Sequence, residues 1–326
     1  MRTREEFLEL RRQGIGGSDI ACLVGQNPYK TAFELWHDKI QAQDKEVDPD
    51  AEERMYWGIE LEKLIAERYA KEKGVRVQRV NKQLHHYRYP IAMANIDRAV
   101  VADGTRARWD DKQHKLIGCE RLLEIKTANA FAQNSDDWGE PGTDEIPIHY
   151  WYQVQWYMGI TDVHTCDLAV LFGGQKFRIY TINFEPEIFN ELVVIADKWW
   201  NKHVLTRTAP SPNDETEAKL KWKKPKAGKE MIIDTDAMEL VLALQGVNEK
   251  ISRLEAEKKA IRDKLIPCLE DAEVITHAGE KIATYKANKD SVVTDWRSAY
   301  ESLSPSPEHI YKYQTIKQGA RVLRLC

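Results

Sequence analysis

A carboxylate and an ammonium group lie two residues apart in the otherwise apolar segment 122–126, as Glu124 and Lys126. On a β-strand such residues point to the same face, so the two charges project together while Ile125 turns into the core. Asp97 ends another apolar run upstream. An aspartate followed by Glu-x-Lys on a neighbouring strand presents the carboxylate oxygens that suit Mg²⁺ and orients a water molecule beside the metal. Lys126 would position that water, help to deprotonate it or stabilise the transition state.

Taken alone, these residues also fit an ion pair on an edge strand and an aspartate in a turn, so their neighbours matter. Glu62 lies near the inward face of a predicted helix, where a lone charge is costly unless it is paired or bound to metal. Gln153 and Tyr157 are four residues apart, on one face of another predicted helix. There they would hydrogen-bond a nucleotide or hold the strand of Lys126. The alternative for this pair is a helix edge that touches water.

The surrounding sequence predicts an α/β fold, with helices packed around one mixed sheet in a main domain over residues 1–207. Charged residues with interspersed apolar ones suit a short helix over 4–12, and apolar residues recur at helical spacing in four longer stretches, 31–39, 52–73, 151–159 and 186–203. Strand-like runs occupy 75–80, 84–87, 92–101, 122–126, 165–172 and 176–183. A hairpin turn at Gly173-Gly174 joins the last two strands.

The chain changes character after residue 207. Prolines and a cluster of lysines around Trp222 predict a basic linker over 208–230, followed by a C-terminal extension over 231–326. In the extension, apolar residues follow one another at alternating four- and three-residue spacings, interrupted by Lys258, which predicts a coiled-coil-like helix of roughly 30 residues. These residues are Val247, Ile251, Leu254, Ile261 and Leu265. A hairpin over 274–286, a helix over 295–303 and a last strand over 321–325 complete the prediction.

The composition excludes several classes of protein. Five scattered cysteines without a CxxC pair argue against a zinc site, an iron–sulfur cluster and a disulfide framework. No apolar run is long enough to span a bilayer, and the charged N-terminus is unlike a signal peptide, which predicts a cytoplasmic protein without a membrane partner. The net charge of −4 gives no global attraction to nucleic acid, so a DNA-binding function requires a locally basic channel.

A set of short motifs occurs in one order along roughly residues 8–175. The first is Arg12-Gln13-Gly14-Ile15-Gly16-Gly17-Ser18-Asp19, followed by Asn27-Pro28-Tyr29 and Leu35-Trp36-x-x-Lys39. The later ones are Gly58-x-x-x-Glu62, Ile96-Asp97, Leu123-Glu124-Ile125-Lys126 and Gln153-x-x-x-Tyr157. Together they resemble the YqaJ-type viral recombinase family, which includes phage lambda exonuclease and belongs to the PD-(D/E)xK nuclease superfamily.

The resemblance implies a nuclease core with a central mixed sheet flanked by helices. It implies metal-dependent hydrolysis of double-stranded DNA from an end, in the 5′→3′ direction. It also implies a catalytic lysine at Lys126 and a Mg²⁺ site, open to Mn²⁺ as well, formed by Glu62, Asp97, Glu124 and the backbone carbonyl of Ile125. Two protein partners stay open, a single-strand annealing protein and a second copy of this chain. The long C-terminal helix would serve such a contact, or would pack on the nuclease domain.

Arg12 and Ser18 fall where members of this family grip a DNA phosphate, the terminal 5′-phosphate of the duplex. Arginine offers a planar fork for phosphate, and the glycine-rich backbone before Ser18 can present N–H donors to an anion. The sequence departs from the superfamily pattern at Ile96, where proline is usual, and the match fades after about residue 185. Two other functions stay open: an endonuclease or repair nuclease with the same metal site, and a non-catalytic DNA-binding assembly protein.

Overall fold

The computed structural model describes residues 9–40, 49–222, 224, 228–287, 295–301, 303 and 306. The chain divides into two compact units, Met1–Lys221 and Trp222–Cys326. Residues 9–12 are helical, as predicted, whereas the rest of the predicted helix 4–12 lies outside the described residues. The predicted last strand, 321–325, also lies outside them.

The first unit is built on a five-stranded sheet. Its strands stand in the order β1 (Arg76–Gln78), β4 (Arg98–Val101), β7 (Arg121–Ala128), β8 (Thr165–Phe172) and β9 (Lys176–Asn183). Strands β7 and β8 are parallel, with Glu124 opposite Leu168, and the other neighbouring strands are antiparallel. The sheet is therefore mixed, as predicted.

Helices cover both faces of this sheet because successive residues of the central strands are apolar on both sides. On one face, Leu123 and Ile125 pack with Tyr69 of α3 (Pro49–Lys73). On the other face, Leu122 belongs to a larger core that also contains Trp156 of the helix Ile148–Thr161. The helices that contribute to this larger core are α1 (Gly17–Leu23), α2 (Ala32–Ile40), α4 (Ile148–Thr161) and α5 (Pro186–Trp199), which continues as a π-helix over Trp200–Leu205. The predicted central sheet flanked by helices is confirmed.

Two short strand pairs and a 3₁₀ turn complete the first unit. The predicted strand 92–101 is interrupted: it forms β3 (Met93–Ala94), paired with β2 (Leu84–His85), and then β4. Residues 95–97 between the two strands leave the ladder, and Asp97 lies at this break. A hairpin of β5 (Arg108–Asp110) and β6 (Lys115–Ile117) was not predicted, because each strand has only three residues and half of the six are charged. The 3₁₀ turn spans Ala132–Asn134.

The predicted linker over 208–230 is only partly a linker. Its first part, up to Lys221, belongs to the first unit and ends in α6 (Glu215–Lys221). The buried Glu217 carboxylate accepts a hydrogen bond from the hydroxyl of Thr31. Lys221 Nζ donates to the carbonyl of Ala209 at 3.0 Å. The main unit therefore extends beyond the predicted boundary at residue 207.

The second unit contains the long predicted helix, α7 (Thr235–Leu265), and the predicted hairpin. Asp234 caps α7 by accepting a hydrogen bond from the backbone N–H of Ala237 at 2.9 Å. After a 3₁₀ turn at Ile266–Leu269, β10 (Val274–His277) and β11 (Glu280–Thr284) form the hairpin, followed by α8 (Trp296–Glu301). Both predictions are confirmed. Among the described residues, no helix is long and apolar enough to cross a membrane.

Candidate active site

Strand β7 and three other parts of the first unit bring the predicted polar residues to one cavity of about 300 Å³. Strand β7 contributes Glu124 and Lys126, and the break before β4 contributes Asp97. Helix α3 contributes Glu62, and α4 contributes Gln153 and Tyr157. The lining residues are Gly58, Glu62, Asp97, Glu124, Ile125, Lys126, Thr127, Gln153 and Tyr157. The structure thus places six predicted side chains and the backbone of Ile125 around one space.

Glu124 is the most buried carboxylate of this cavity, with 3% of the residue exposed. It lies on the face of β7 that also carries Leu122, towards α4. Lys126 Nζ and Gln153 Nε2 both donate to its Oε1 at 2.6 Å. A carboxylate at this depth is costly unless such donors replace water. Gln153 therefore holds Glu124 in place, in addition to lining the cavity.

Asp97 faces the same cavity from the break between β3 and β4. Its Oδ2 accepts a hydrogen bond from the backbone N–H of Ile125 at 2.8 Å, which fixes the aspartate against β7. Burial raises the pKa of Asp97, and the nearby Glu124 carboxylate raises it further, to about 8, although Lys126 and the Ile125 N–H act against this. Two carboxylates are thus held close enough to repel each other in a site of low polarity.

Lys126 balances part of this negative charge. Burial alone would lower its pKa, but Glu124 and then Asp97 raise it above its ordinary value, so the side chain is a stable ammonium ion. Its Nζ also lies 4.9 Å from the ring centroid of Tyr150, a cation–π contact that the sequence did not indicate.

Glu62 lines the cavity, but an arginine holds its carboxylate. Arg98 Nη1 hydrogen-bonds to Glu62 Oε1 and donates to the carbonyl of Asp97 at 2.7 Å. Arg98 is itself buried, at 7% exposure, and sequence reasoning missed it. Its place at the start of a buried strand, directly after Asp97, was the available signal.

The donor set of this cavity fits a hard divalent cation in its chemistry. Asp97 and Glu124 offer carboxylate oxygens, and their mutual repulsion is the charge that such a cation relieves. Within the part of the chain that the structure describes, however, no three His, Cys, Asp or Glu side chains stand close enough together to hold a metal ion. Glu62 would have to turn from Arg98 to complete the predicted set, so its role as a ligand stays a prediction.

Gln153 and Tyr157 share one face of α4, as their spacing predicts. Gln153 Nε2 lies 3.3 Å from the hydroxyl of Tyr157. Helix α1 packs directly on this pair, because a Cβ at Gly17 would fall 2.5 Å from Cε1 of Tyr157. The glycine-rich segment therefore has a packing role: it allows α1 to approach the two side chains that line the cavity.

The second predicted group is Arg12 with Ser18, and each of these two residues has a different hydrogen-bond partner in the structure. Arg12 Nη1 bonds to the exposed Glu9 at 2.8 Å, whereas Arg11 Nη2 donates to Ser18 Oγ at 2.8 Å. Arg11 also lies 3.2 Å from Asp19 Oδ1. The arginine that the structure places beside Ser18 is therefore Arg11, one residue before the predicted one.

Asp19 ties this segment to α2 through a buried ion pair. Its Oδ2 accepts hydrogen bonds from Lys39 Nζ at 2.7 Å and from the backbone N–H of Gly16 at 3.0 Å. Burial alone would raise the pKa of Asp19, but Lys39 and Arg11 outweigh it and lower the pKa to about 2. Burial also lowers the pKa of Lys39, against the attraction of Asp19. The low pKa of Asp19 keeps its carboxylate charged near neutral pH.

The model of the YqaJ-like viral recombinase domain matches residues 6–164. Protein YqaJ of Bacillus subtilis (strain 168) is 31% identical over 277 residues, which cover 83% of this chain and 80% of that protein. The chain belongs to the YqaJ-like viral recombinase family. The matched region contains all the predicted site residues.

Two solved structures are more distantly similar. An alkaline exonuclease, LHK-Exo, from Laribacter hongkongensis is 19% identical, with a TM-score of 0.46, and the match covers 63% of this chain and 94% of that one. A phage-related exonuclease from Haemophilus somnus 129PT is 13% identical, with a TM-score of 0.39, and the match covers 62% of this chain and 99% of that one.

Proposed function

We propose that this YqaJ-like viral recombinase is a Mg²⁺-dependent deoxyribonuclease that degrades linear double-stranded DNA from an end, in the 5′→3′ direction, during phage-type recombination. The observation that carries the proposal is the cavity where Asp97 and Glu124 lie beside the ammonium group of Lys126. Membership of a viral recombinase family supports the biological setting.

Each residue of the cavity has a part in this proposal. Asp97, Glu124 and the backbone carbonyl of Ile125 would hold Mg²⁺, or Mn²⁺ in its place, with Glu62 as a further ligand if it leaves Arg98. When bound, the cation would supply positive charge against the charge that develops on the phosphodiester. Lys126, kept cationic by Glu124, would donate to a phosphate oxygen or to the attacking water.

Gln153 and Tyr157 act one step further from the phosphodiester. The amide of Gln153 orients Glu124 through its 2.6 Å hydrogen bond. Tyr157 hydrogen-bonds to the same amide and closes the buried side of the cavity. Both side chains would thus hold the charged groups in position while substrate enters from the open side. Where they line the cavity wall, they would also be able to hydrogen-bond a nucleotide.

We place the terminal 5′-phosphate near Ser18, with Arg11 as its cation. Arg11 is hydrogen-bonded to Ser18, and the segment that bears them packs on α4 beside the cavity. A terminal phosphate carries more charge than a diester, and a fixed guanidinium with a neighbouring hydroxyl favours it. Arg12, which bonds to the exposed Glu9, then serves as the matched control.

Labelled DNA of two shapes tests the proposal directly. The full chain is incubated with Mg²⁺ and either linear or closed circular duplex DNA, and with the same substrates in EDTA. The expected result is progressive release of nucleotides from linear DNA only, in Mg²⁺ only. Cutting of circles at a similar rate would instead indicate an endonuclease. Binding without any hydrolysis, in Mg²⁺ or Mn²⁺, would indicate a non-catalytic DNA-binding protein.

A matched variant separates this activity from contaminating nucleases. Glu124→Gln keeps the shape of the side chain and an oxygen acceptor for Lys126, and it removes the charge that a cation requires. The variant purified in parallel should lose hydrolysis of linear DNA while its circular dichroism spectrum stays that of the wild type. Equal activity in the variant would show that the observed hydrolysis does not come from this cavity.

A further inference from the structure

Helix α7 carries a regular stripe of exposed apolar side chains. None of its 31 residues is buried. The exposed fractions along the stripe run from 39% at Leu244 to 73% at Leu240. From Leu240 to Leu265, the stripe residues follow one another at alternating four- and three-residue spacings, with the charged Lys258 filling one place. The apolar members are Leu240, Leu244, Val247, Ile251, Leu254, Ile261 and Leu265. We call this set the α7 stripe.

Such spacing specifies the kind of surface that the stripe fits. A repeat of 3.5 residues keeps the apolar side chains on one line only when two helices wind around each other. A globular core, by contrast, takes a wider stripe with a period near 3.6 residues. From Gln245 to Lys264, the residues between the stripe positions are mostly charged or small. The surface therefore fits a helix with the same repeat, and a second copy of α7 is such a helix.

The charges beside the α7 stripe favour a parallel pair of identical helices. In a parallel pair, a residue that flanks the contact on one helix faces the residue about five positions further along the other helix. Lys250 of one copy then faces Glu255 of the other, and Glu257 faces Arg262. Symmetry repeats both contacts. In an antiparallel pair with the stripe fully overlapped, Lys250 would meet Glu257, but Glu255 would meet the neutral Asn248.

Lys258 is consistent with this arrangement. It occupies a stripe position and is exposed in the structure. A single charged residue within a coiled-coil contact lowers stability and selects register and oligomeric state, because its long stem packs while its ammonium group must reach water. In the parallel pair, Glu257 of the other copy precedes the facing position and offers an acceptor.

We propose that α7 forms a parallel two-stranded coiled coil with α7 of a second copy of this chain. The proposal goes beyond the nuclease function and does not depend on it, since it rests on the second unit alone. Its tests measure mass and not hydrolysis. A chain that cut no DNA would still test it, and a monomeric chain would leave the nuclease proposal untouched.

Light scattering of the full chain gives the first test. We expect a mass twice that of the variant Leu254→Glu/Ile261→Glu, which places charges in the contact; a single chain is 37.8 kDa. Leu242→Glu is the matched control, because Leu242 is 54% exposed on the same helix but lies on the side away from the stripe, and this variant should keep the wild-type mass. Equal masses for the wild type and the stripe variant would overturn the proposal.

Charge exchange gives the second test and fixes the orientation. Lys250→Glu should weaken dimerisation roughly tenfold, because it turns two attractive contacts into repulsive ones. Adding Glu255→Lys should restore the wild-type affinity, whereas adding Glu257→Lys should weaken it further. Rescue by Glu257→Lys in place of Glu255→Lys would overturn the parallel orientation. No effect of Lys250→Glu would contradict the assigned contacts.

Discussion

Replacement of Gly17 by alanine tests how the glycine-rich segment positions the active site. A Cβ at this position would lie 2.5 Å from Cε1 and 2.7 Å from Cζ of Tyr157, and 3.0 Å from Cγ of Gln153. Carbon atoms are in comfortable contact at about 3.5–4.0 Å, so the overlap is on the order of 1 Å. Because Tyr157 is buried, either α1 moves away from α4 or both side chains turn.

The expected cost follows from this overlap. Overpacking a well-packed site typically lowers the free energy of unfolding by about 1–3 kcal/mol, and the better helix propensity of alanine offsets at most about 1 kcal/mol of this loss. We expect Gly17→Ala to lower the free energy of unfolding by about 1–2 kcal/mol in urea denaturation. The rate of DNA hydrolysis should fall by a larger factor than the fraction of folded protein does, because a displaced Gln153 no longer holds Glu124.

Gly16→Ala is the matched control, one residue away. Its Cβ would have only Asp19 Oδ2 nearby, at 3.6 Å, which is ordinary contact. A second control shortens the obstructing side chain: in a Tyr157→Leu background, the penalty of Gly17→Ala should shrink. The reasoning is refuted if Gly17→Ala is as stable and active as Gly16→Ala, or if its penalty is the same with leucine at position 157.

Four further predictions follow from the site. Glu124→Gln should abolish Mg²⁺-dependent DNA hydrolysis without unfolding the chain, measured by nucleotide release and circular dichroism. Lys126→Ala should lower the rate by several orders of magnitude and leave Mg²⁺ binding intact, measured by single-turnover kinetics and calorimetry. Arg11→Ala should narrow the rate preference for 5′-phosphorylated over 5′-hydroxyl duplex ends, and Arg12→Ala should leave that ratio unchanged. Asp19, whose pKa is lowered to about 2, should contribute roughly 2 kcal/mol of stability that is present above pH ~4 and lost as the pH falls towards 2. Urea denaturation between about pH 6 and pH 2 would measure this loss, and Asp19→Asn should remove the dependence of the unfolding free energy on pH.

The strands differ in how well local sequence predicts them. β8 and β9 begin and end where predicted, because a mostly apolar run before Gly173-Gly174 and an alternating polar and apolar run after it leave little choice of register. The single strand predicted over 92–101 was wrong in its middle. There the chain leaves the ladder, and the Asp97 carboxylate instead meets the N–H of Ile125, a contact between residues 28 positions apart that no local pattern reports.

The same distinction holds for the candidate site. The shared face of Glu124 and Lys126, and that of Gln153 and Tyr157, follow from strand and helix periods, so spacing alone predicts them. The ion pair of Glu62 with Arg98 joins α3 to the sheet and depends on their packing.

The choice between Arg11 and Arg12 illustrates the limit of sequence motifs. Adjacent residues of a helix point about 100° apart, and only tertiary packing decides which of the two arginines meets Ser18. In this chain, the backbone carbonyl of Arg11 accepts from Lys39 Nζ at 2.6 Å, which fixes the segment against α2. In this arrangement Arg11 bonds to Ser18 and Arg12 bonds to Glu9, although both side chains are partly exposed.

The charge balance of the cavity is the reason why we expect a cation to enter together with DNA. Lys126 bonds to the Glu124 carboxylate and Arg98 bonds to that of Glu62, whereas the Asp97 carboxylate accepts from the backbone N–H of Ile125. Burial already makes the negative charge of Asp97 unfavourable. A phosphodiester adds another negative charge to a site of low polarity, where repulsion is weakly screened. We therefore expect DNA to enter the cavity together with a divalent cation, which would offset the charges of both the phosphodiester and Asp97.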